Sequence, residues 1–218
     1  SEMLPSPTHW LARLCVKRSG KPLDRPEGDL LRIPTVWQAI GDLPEIENGG
    51  GKHVSTYAGK QATTEYQRRM RAGSKKLHNH VCSNLGSINI ERMSHIPEGG
   101  NWRDIPRSLL PAGMQRAELT DHTKRYGRLD RKGLASTLLT KCDPHWGAYI
   151  HPTQDRTISV REAARLQGFP DTFHFAGHQI GYHFEQIGNA VPVPLANAIA
   201  DCVAAHIRAA EASERQAA

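Results

Sequence analysis

Cysteines, histidines and glycine-rich loops are where this 218-residue chain could carry covalent, metal or phosphate chemistry. A thiolate nucleophile needs a cationic or helix-terminal neighbour that lowers its pKa, and a zinc knuckle needs cysteines in closely spaced pairs. Cys15, Cys82, Cys142 and Cys202 lie far apart with no Cys-x-x-Cys pair. Neither a zinc knuckle nor a small disulfide scaffold is expected, and free, mostly buried thiols are. Among twelve histidines the closest pair is His78-Asn79-His80, with no second pair at ligand spacing, so no metal site is expected. Asn48-Gly49-Gly50-Gly51-Lys52 suggests a phosphate cradle, but Ile46 stands where the first glycine of that loop belongs and His53 where its hydroxyl belongs. The stretch is read as a flexible loop.

Positive charge is the stronger signal. The formal net charge is +6, with a mean hydropathy of -0.55 and 38% hydrophobic residues, the profile of a polar globular chain. From Lys60 to His80, six basic residues (Lys60, Arg68, Arg69, Arg71, Lys75, Lys76) face one acid, and from Arg116 to Lys141, seven (Arg116, Lys124, Arg125, Arg128, Arg131, Lys132, Lys141) face three. The rest of the chain is acidic on balance. Basic side chains interleaved with Tyr57, Tyr66, Trp102 and Tyr126 suit a surface that neutralises phosphates and offers planar groups near bases, and equally a face kept soluble by charge. No apolar run comes near the roughly 20 residues of a bilayer span. Ser1–Trp10 has two prolines and a histidine where a secretion signal needs a basic start and an apolar run. The expectation is a cytoplasmic protein without membrane contact.

These groups must be positioned by short elements. Residues 1–31, rich in proline, glycine and charge, read as a connector with only Trp10–Val16 packable. Thr35, with Gln38 three residues on and Gly41 at the end, predicts a short helix. Thr64–Arg71 predicts a helix carrying Arg68, Arg69 and Arg71, and Ile88–Met93 a weaker one. The β-branched and aromatic residues of Tyr126–Ile150 predict short strands, including Ser136–Thr140. Ser159 followed by Glu162 is a capping box, and Gly168-Phe169-Pro170 ends that helix. From Pro192 to about Ala210, Leu195, Ile199, Val203 and Ile207 fall on one stripe and Ala196, Ala200 and Ala204 on another, so this helix must dock onto something.

Two segments resemble a known family. Arg156-Thr157-Ile158-Ser159-Val160-Arg161-Glu162-Ala163-Ala164-Arg165-Leu166-Gln167-Gly168-Phe169-Pro170-Asp171 looks like the ninth conserved motif of bacterial cytosine-5 DNA methyltransferases, and Gln186-Ile187-Gly188-Asn189-Ala190-Val191-Pro192 like the tenth. Asp42-Leu43-Pro44, Gly99-Gly100-Asn101-Trp102 with Asp104-Ile105-Pro106, and Thr137-Leu138 resemble its variable region. The resemblance implies an α+β (mixed) chain in three parts: a connector over 1–44, an irregular target-recognition domain of short strands and helices over 45–150, and over 151–218 a bracing helix and a C-terminal helix. These last two return to a Rossmann-like domain, absent from this chain, that binds S-adenosylmethionine. It further implies that Gly188, Asn189, Ala190 and Val191 line the cofactor pocket, and that Thr137 and Leu138 form the recognition dipeptide. Arg161, Glu162 and Arg165 would brace the two structural parts. Arg68, Arg69, Arg71, Lys75, Arg128 and Lys141 are the candidate contacts to double-stranded DNA.

In such enzymes a cysteine that follows proline attacks the cytosine ring, which must leave the duplex to be reached. Here the residues before the four cysteines are Leu14, Val81, Lys141 and Asp201. No glycine-rich cofactor loop is present. Glu47-Asn48 and Gln67-Arg68-Arg69-Met70-Arg71 imitate two other motifs of the family, but their positions make the first a loop and the second a phosphate-facing surface. The expectation is a chain inactive in isolation. Its partners would be double-stranded DNA and the catalytic half, with a second copy of the chain as another occupant for the apolar helix. The alternative is a non-catalytic DNA-binding relic or regulatory module.

Overall fold

Ser159 starts the helix around which the larger part of the molecule is arranged. Its hydroxyl accepts from the Glu162 N–H at 3.1 Å and the Glu162 carboxylate accepts from the Ser159 N–H at 2.7 Å, closing the capping box. The computed structural model describes His9–Trp10, residues 31–121 and residues 124–217. It divides into a unit of residues 34–190 and a unit of residues 1–33 with 191–218. Most of the expected connector, with Trp10–Val16 beyond Trp10 and with Cys15, lies outside the described residues.

In chain order the elements are β1 (His9–Trp10), β2 (Leu31–Arg32), α1 (Val36–Ile40), β3 (Gly51–Ser55), α2 (Glu65–Arg71), β4 (Leu77–Val81), α3 (Ser87–Ser94), α4 (Val160–Leu166), α5 (Ile180–Asn189) and α6 (Val193–Ala217). Three 3-10 turns, Trp102–Asp104, Arg107–Leu109 and Ala112–Met114, follow α3. β3 and β4 form an antiparallel hairpin in which Lys52 faces His80 and Val54 faces His78. The glycines that disguise it as a loop are needed by it. Gly51 has φ of 95°, and a Cβ there would stand 2.0 Å from the His80 carbonyl oxygen. α1 carries the expected Thr35/Gln38 capping box, and α2, expected as a helix, also begins with one, Thr64/Gln67.

α4 is surrounded by α1, β4 and α5, and Val160 to Arg165 are all buried. A helix buried on all sides is normally apolar, so its charged residues must find partners inside. A second core of Met93, Ile96, Trp102, Ile105, Leu110, Met114, Tyr126 and Ile150 lies under α3 and the 3-10 turns.

Residues 126–150 differ from expectation: Ser136–Thr140 is irregular, and this stretch contributes only single bridges, Arg128 to Ile150 and Ile150 to Thr157. The backbone polar groups here are satisfied by scattered backbone bonds, such as the Leu129 N–H to the Ile150 carbonyl and the Tyr126 N–H to the Pro144 carbonyl, in place of a ladder. Arg128 alone donates to the carbonyls of Met93, Ile96, His151 and Gln154 at 2.7–3.0 Å. The larger unit also crosses the expected boundaries at 44/45 and 150/151, because α1 and the 156–171 segment share one polar interior.

In the smaller unit, β1 and β2 pair in parallel, His9 with Leu31 and Trp10 with Arg32, and α6 runs for 25 residues. By length and composition alone, the helical run Ile180–Arg215 reaches what a membrane crossing requires, with an 18-residue window of mean hydropathy 1.4 and none of that window buried. This corrects the expectation that no segment comes near. Reading for uninterrupted apolar runs passes over it because Asn189, Asn197 and Asp201 break the run, while the alanines between them keep the mean high.

Candidate nucleic-acid and cofactor interface

The 156–171 segment forms a buried polar brace. Arg156 makes a two-pronged pair with Glu162, both nitrogens at 2.8 Å from its oxygens, and also donates to the Ile46 carbonyl at 3.1 Å. Arg165 pairs in the same way with Asp171 at 2.9 and 2.7 Å, donates to the Ala39 carbonyl at 3.0 Å, and meets Asp42. Arg161 donates to the carbonyls of His78, Pro170 and Phe173 at 2.8, 3.1 and 2.6 Å. All three arginines are at most 1% exposed. The Arg156 guanidinium holds the Glu162 carboxyl far below the usual carboxylate range against the opposing effect of burial. Planar guanidinium forks suit this task because each satisfies several acceptors at once. Arg161, Glu162 and Arg165 join segments of one unit, α1 and its exit, β4 and the 170–175 loop, where the expectation was a brace between two structural parts.

The expected DNA contacts separate into two groups. Arg68, Arg69, Lys75, Thr137 and Lys141 are exposed, with Arg68 in an ion pair to Glu65 at 3.2 Å. Arg71 and Arg128 are not free for phosphates. Arg71 lies 3.8 Å over the Tyr57 ring, pairs with Asp42 at 2.6 Å, and donates to the Lys60 and Asp42 carbonyls. Arg128 is 7% exposed and pairs with Asp155 at 2.5 Å. Charge in a sequence window does not reveal which cations the fold spends on its own carbonyls. Leu138 is also buried, at 6%, whereas Leu139 stands 45% exposed.

The four aromatics interleaved with those charges are structural as well. Trp102 and Tyr126 are buried. Tyr57 donates to Asp171 at 2.6 Å, its own pKa pushed up to about 12 by burial and by that carboxylate. Tyr66 donates to the Arg165 carbonyl. The residue that shapes the Thr137–Leu138 loop carries no sequence signal. Tyr149, 1% exposed, accepts from the Leu139 N–H at 3.1 Å and donates to the Thr137 carbonyl at 3.2 Å.

Gly188 and Asn189 are the last residues of α5, and Ala190 caps it. Asn189 is exposed and Gly188 half-buried. A Cβ on Gly188 would stand 2.5 Å from the Leu139 carbonyl carbon and the Thr140 nitrogen, so this glycine serves the packing of the 137–140 loop. Gln167, from the ninth-motif segment, donates to the Ala190 carbonyl at 2.7 Å and ties the two motif segments together. An exposed carboxamide at a helix end has the chemistry to pair with a charged amino-acid group. In the other unit, Val191 lines an apolar groove with Ala196, Ile199, Ala200, Val203, Ala204 and Ile207.

No described cysteine follows a proline. Cys82 and Cys142 are buried, and burial pushes the Cys142 thiol up to about 12. Asn48, half of the Glu-Asn imitation, bonds Asn84 and Leu85 and secures the loop after β4.

Residues 21–204 match the family model of the C-5 cytosine-specific DNA methylases, and the chain belongs to that family. It is 39% identical over 189 residues to DNA (cytosine-5)-methyltransferase 1A of Oryza sativa subsp. japonica, covering 79% of this chain and 12% of that protein. It is 30% identical over 277 residues to DNA (cytosine-5)-methyltransferase 1 of Gallus gallus, covering 94% of this chain and 18% of that one. The chain thus spans less than a fifth of these relatives' length. A solved structure from an E. coli prophage, described as a DNA modification methyltransferase, shares the fold with a TM-score of 0.54 at 22% identity, over 80% of this chain and 47% of that one.

Proposed function

We propose that this chain is the target-recognition and cofactor-pocket-completing part of a DNA cytosine-5 methyltransferase. Residues 45–150 meet double-stranded DNA, residues 151–190 brace that lobe, and α6 docks onto a catalytic half that holds the Pro-Cys nucleophile. When that half is present, S-adenosylmethionine supplies the methyl group, and Asn189 with the backbone of Gly188 and Ala190 contributes one wall of its pocket, followed in sequence by Val191. The protein works in the cytoplasm as a methylase of the restriction-modification kind.

The observation that carries this reading is α6. Leu195, Ile199, Val203 and Ile207 are 43–54% exposed along one helix face, beside an alanine-lined groove that admits close helix packing. Such a stripe exposed to water calls for an occupant. Family membership, together with a sequence in which no cysteine follows proline, points to the rest of the same catalytic assembly.

The test is co-expression with a polypeptide carrying the family's Pro-Cys dipeptide and glycine-rich loop, followed by transfer of labelled methyl groups to duplex DNA. Activity is expected only from the pair. Methylation by this chain alone overturns the proposal. DNA binding without any gain from the second polypeptide favours the non-catalytic relic. The restriction-modification assignment is tested separately, by whether the assembled enzyme protects DNA from a cognate endonuclease.

A further inference from the structure

Among the exposed large apolar residues of the larger unit, Trp146 stands out for its mounting. It is 58% exposed on a turn held from several sides. The Trp146 N–H donates to the Asp143 carbonyl at 3.0 Å, and Asp143 Oδ1 accepts from the His145 N–H at 2.8 Å and pairs with His145 Nδ1 at 2.6 Å. The Tyr126 N–H donates to the Pro144 carbonyl at 2.6 Å and the Gly127 N–H to the Gly147 carbonyl at 3.3 Å. Beneath the turn, Tyr126 is wholly buried with φ of 48°, a backbone region that bulky residues rarely adopt. Strain of this sort persists where the surroundings over-determine it and collects at working sites.

The turn is also joined to the 137–140 loop. A Cβ on Gly147 would stand 2.6 Å from the Tyr149 ring, and the Tyr149 hydroxyl holds Thr137 and Leu139. One buried tyrosine therefore sets both the candidate recognition loop and the Trp146 turn. The surroundings of the indole are cationic. The Arg125 guanidinium lies 5.5 Å from its ring centroid, Lys124 and Lys141 are exposed, and the one nearby acid, Asp143, is occupied by His145.

We propose that Trp146 is a base-stacking contact of the DNA-facing lobe. Its indole lies against an unpaired base, or in the gap that a base leaves when it swings out of the stack, while Arg125, Lys124 and Lys141 meet the flanking phosphates. Charge favours DNA over a protein partner: a docking helix such as α6 is apolar with small residues, whereas this indole has the Arg125 guanidinium over its ring and exposed Lys124 and Lys141 on the basic stretch that precedes it in sequence. The inference rests on the lobe's reading as DNA-facing.

The test uses the whole 218-residue chain and fluorescence anisotropy on two labelled duplexes, one fully paired and one with a single abasic site. Wild type is expected to bind the abasic duplex about tenfold more tightly, the size of one aromatic–base stack. Trp146→Ala should hold the paired duplex within about twofold of wild type and lose the preference, with an unchanged melting temperature as the folding control. Trp146→Phe should keep part of the preference. Salt-dependent binding without an abasic preference in wild type, or a preference that survives in Trp146→Ala, overturns this inference and leaves the DNA-facing reading standing. No salt-dependent binding to either duplex overturns both. A Trp146→Ala chain that binds both duplexes as wild type does but assembles poorly with a catalytic half assigns the indole to protein docking and overturns the proposal.

Discussion

Replacing Arg165 by methionine tests whether the buried brace holds the larger unit together. Arg165 is 0% exposed, and its removal takes a two-pronged pair from Asp171, a partner from Asp42 and a donor from the Ala39 carbonyl. The lost aliphatic volume is restored by methionine, so the cost is that of carboxylates left in a dry interior. Breaking a buried pair in this way costs about 3–5 kcal/mol. The lower part of that range applies, because Asp42 keeps Arg71 at 2.6 Å and Asp171 keeps the Tyr57 hydroxyl at 2.6 Å. For a unit of this size each kcal/mol shifts Tm by roughly 2–4 °C, so a fall of about 6–12 °C is expected by circular dichroism. Arg165→Met combined with Asp171→Asn should recover part of it, since the stranded charge is then gone. A fall under about 3 °C, or no recovery in the double variant, refutes the idea that this ion cluster ties α1 to α4.

Three other outcomes follow from the geometry. Burial lowers the His151 pKa from 6.5 to about 4, so between those values the unfolded chain binds the extra proton and stability falls as the pH drops from 6.5 towards 4, by up to about 3 kcal/mol. Urea midpoints across that window should show a shallower slope for His151→Gln, and an unchanged slope rules the histidine out. Tyr149→Phe should cost about 1–2 kcal/mol and speed hydrogen exchange at the Leu139 amide, which keeps wild-type protection if the hydroxyl does not shape the loop. Gly188→Ala places a Cβ against immobile backbone and should destabilise by about 1–3 kcal/mol despite alanine's better helix propensity; a neutral or stabilising result means the loop does not rest on α5.

Local and periodic features were legible before any coordinates. The Thr35 and Ser159 capping boxes, the four-residue spacing along α6 and the two family motifs depend on residues a few positions apart, whose interactions survive without the rest of the fold. The β3–β4 hairpin was hidden because its strands are 21 residues apart and one is exposed along most of its length. The strands expected in 126–150 did not form because alternating β-branched residues record a preference for extended backbone and say nothing of a partner strand. Scattered backbone bonds and the Tyr149 hydroxyl satisfy that backbone instead.

The charge pattern divides in the same way. A count of arginines established a basic chain, but Arg71 and Arg128 look identical in sequence to Arg68 and Arg69, and only the fold sends the first two to carbonyls and carboxylates while leaving the last two exposed. By itself the sequence determined the helix starts, the docking stripe of α6 and the kinship with the cytosine-5 methylases, because those are carried by short spacings. Tertiary structure alone decided which cations remain exposed, that Leu138 turns inward and Trp146 outward, and that Gly188 packs against the 137–140 loop, because burial and close approach are set by segments distant along the chain.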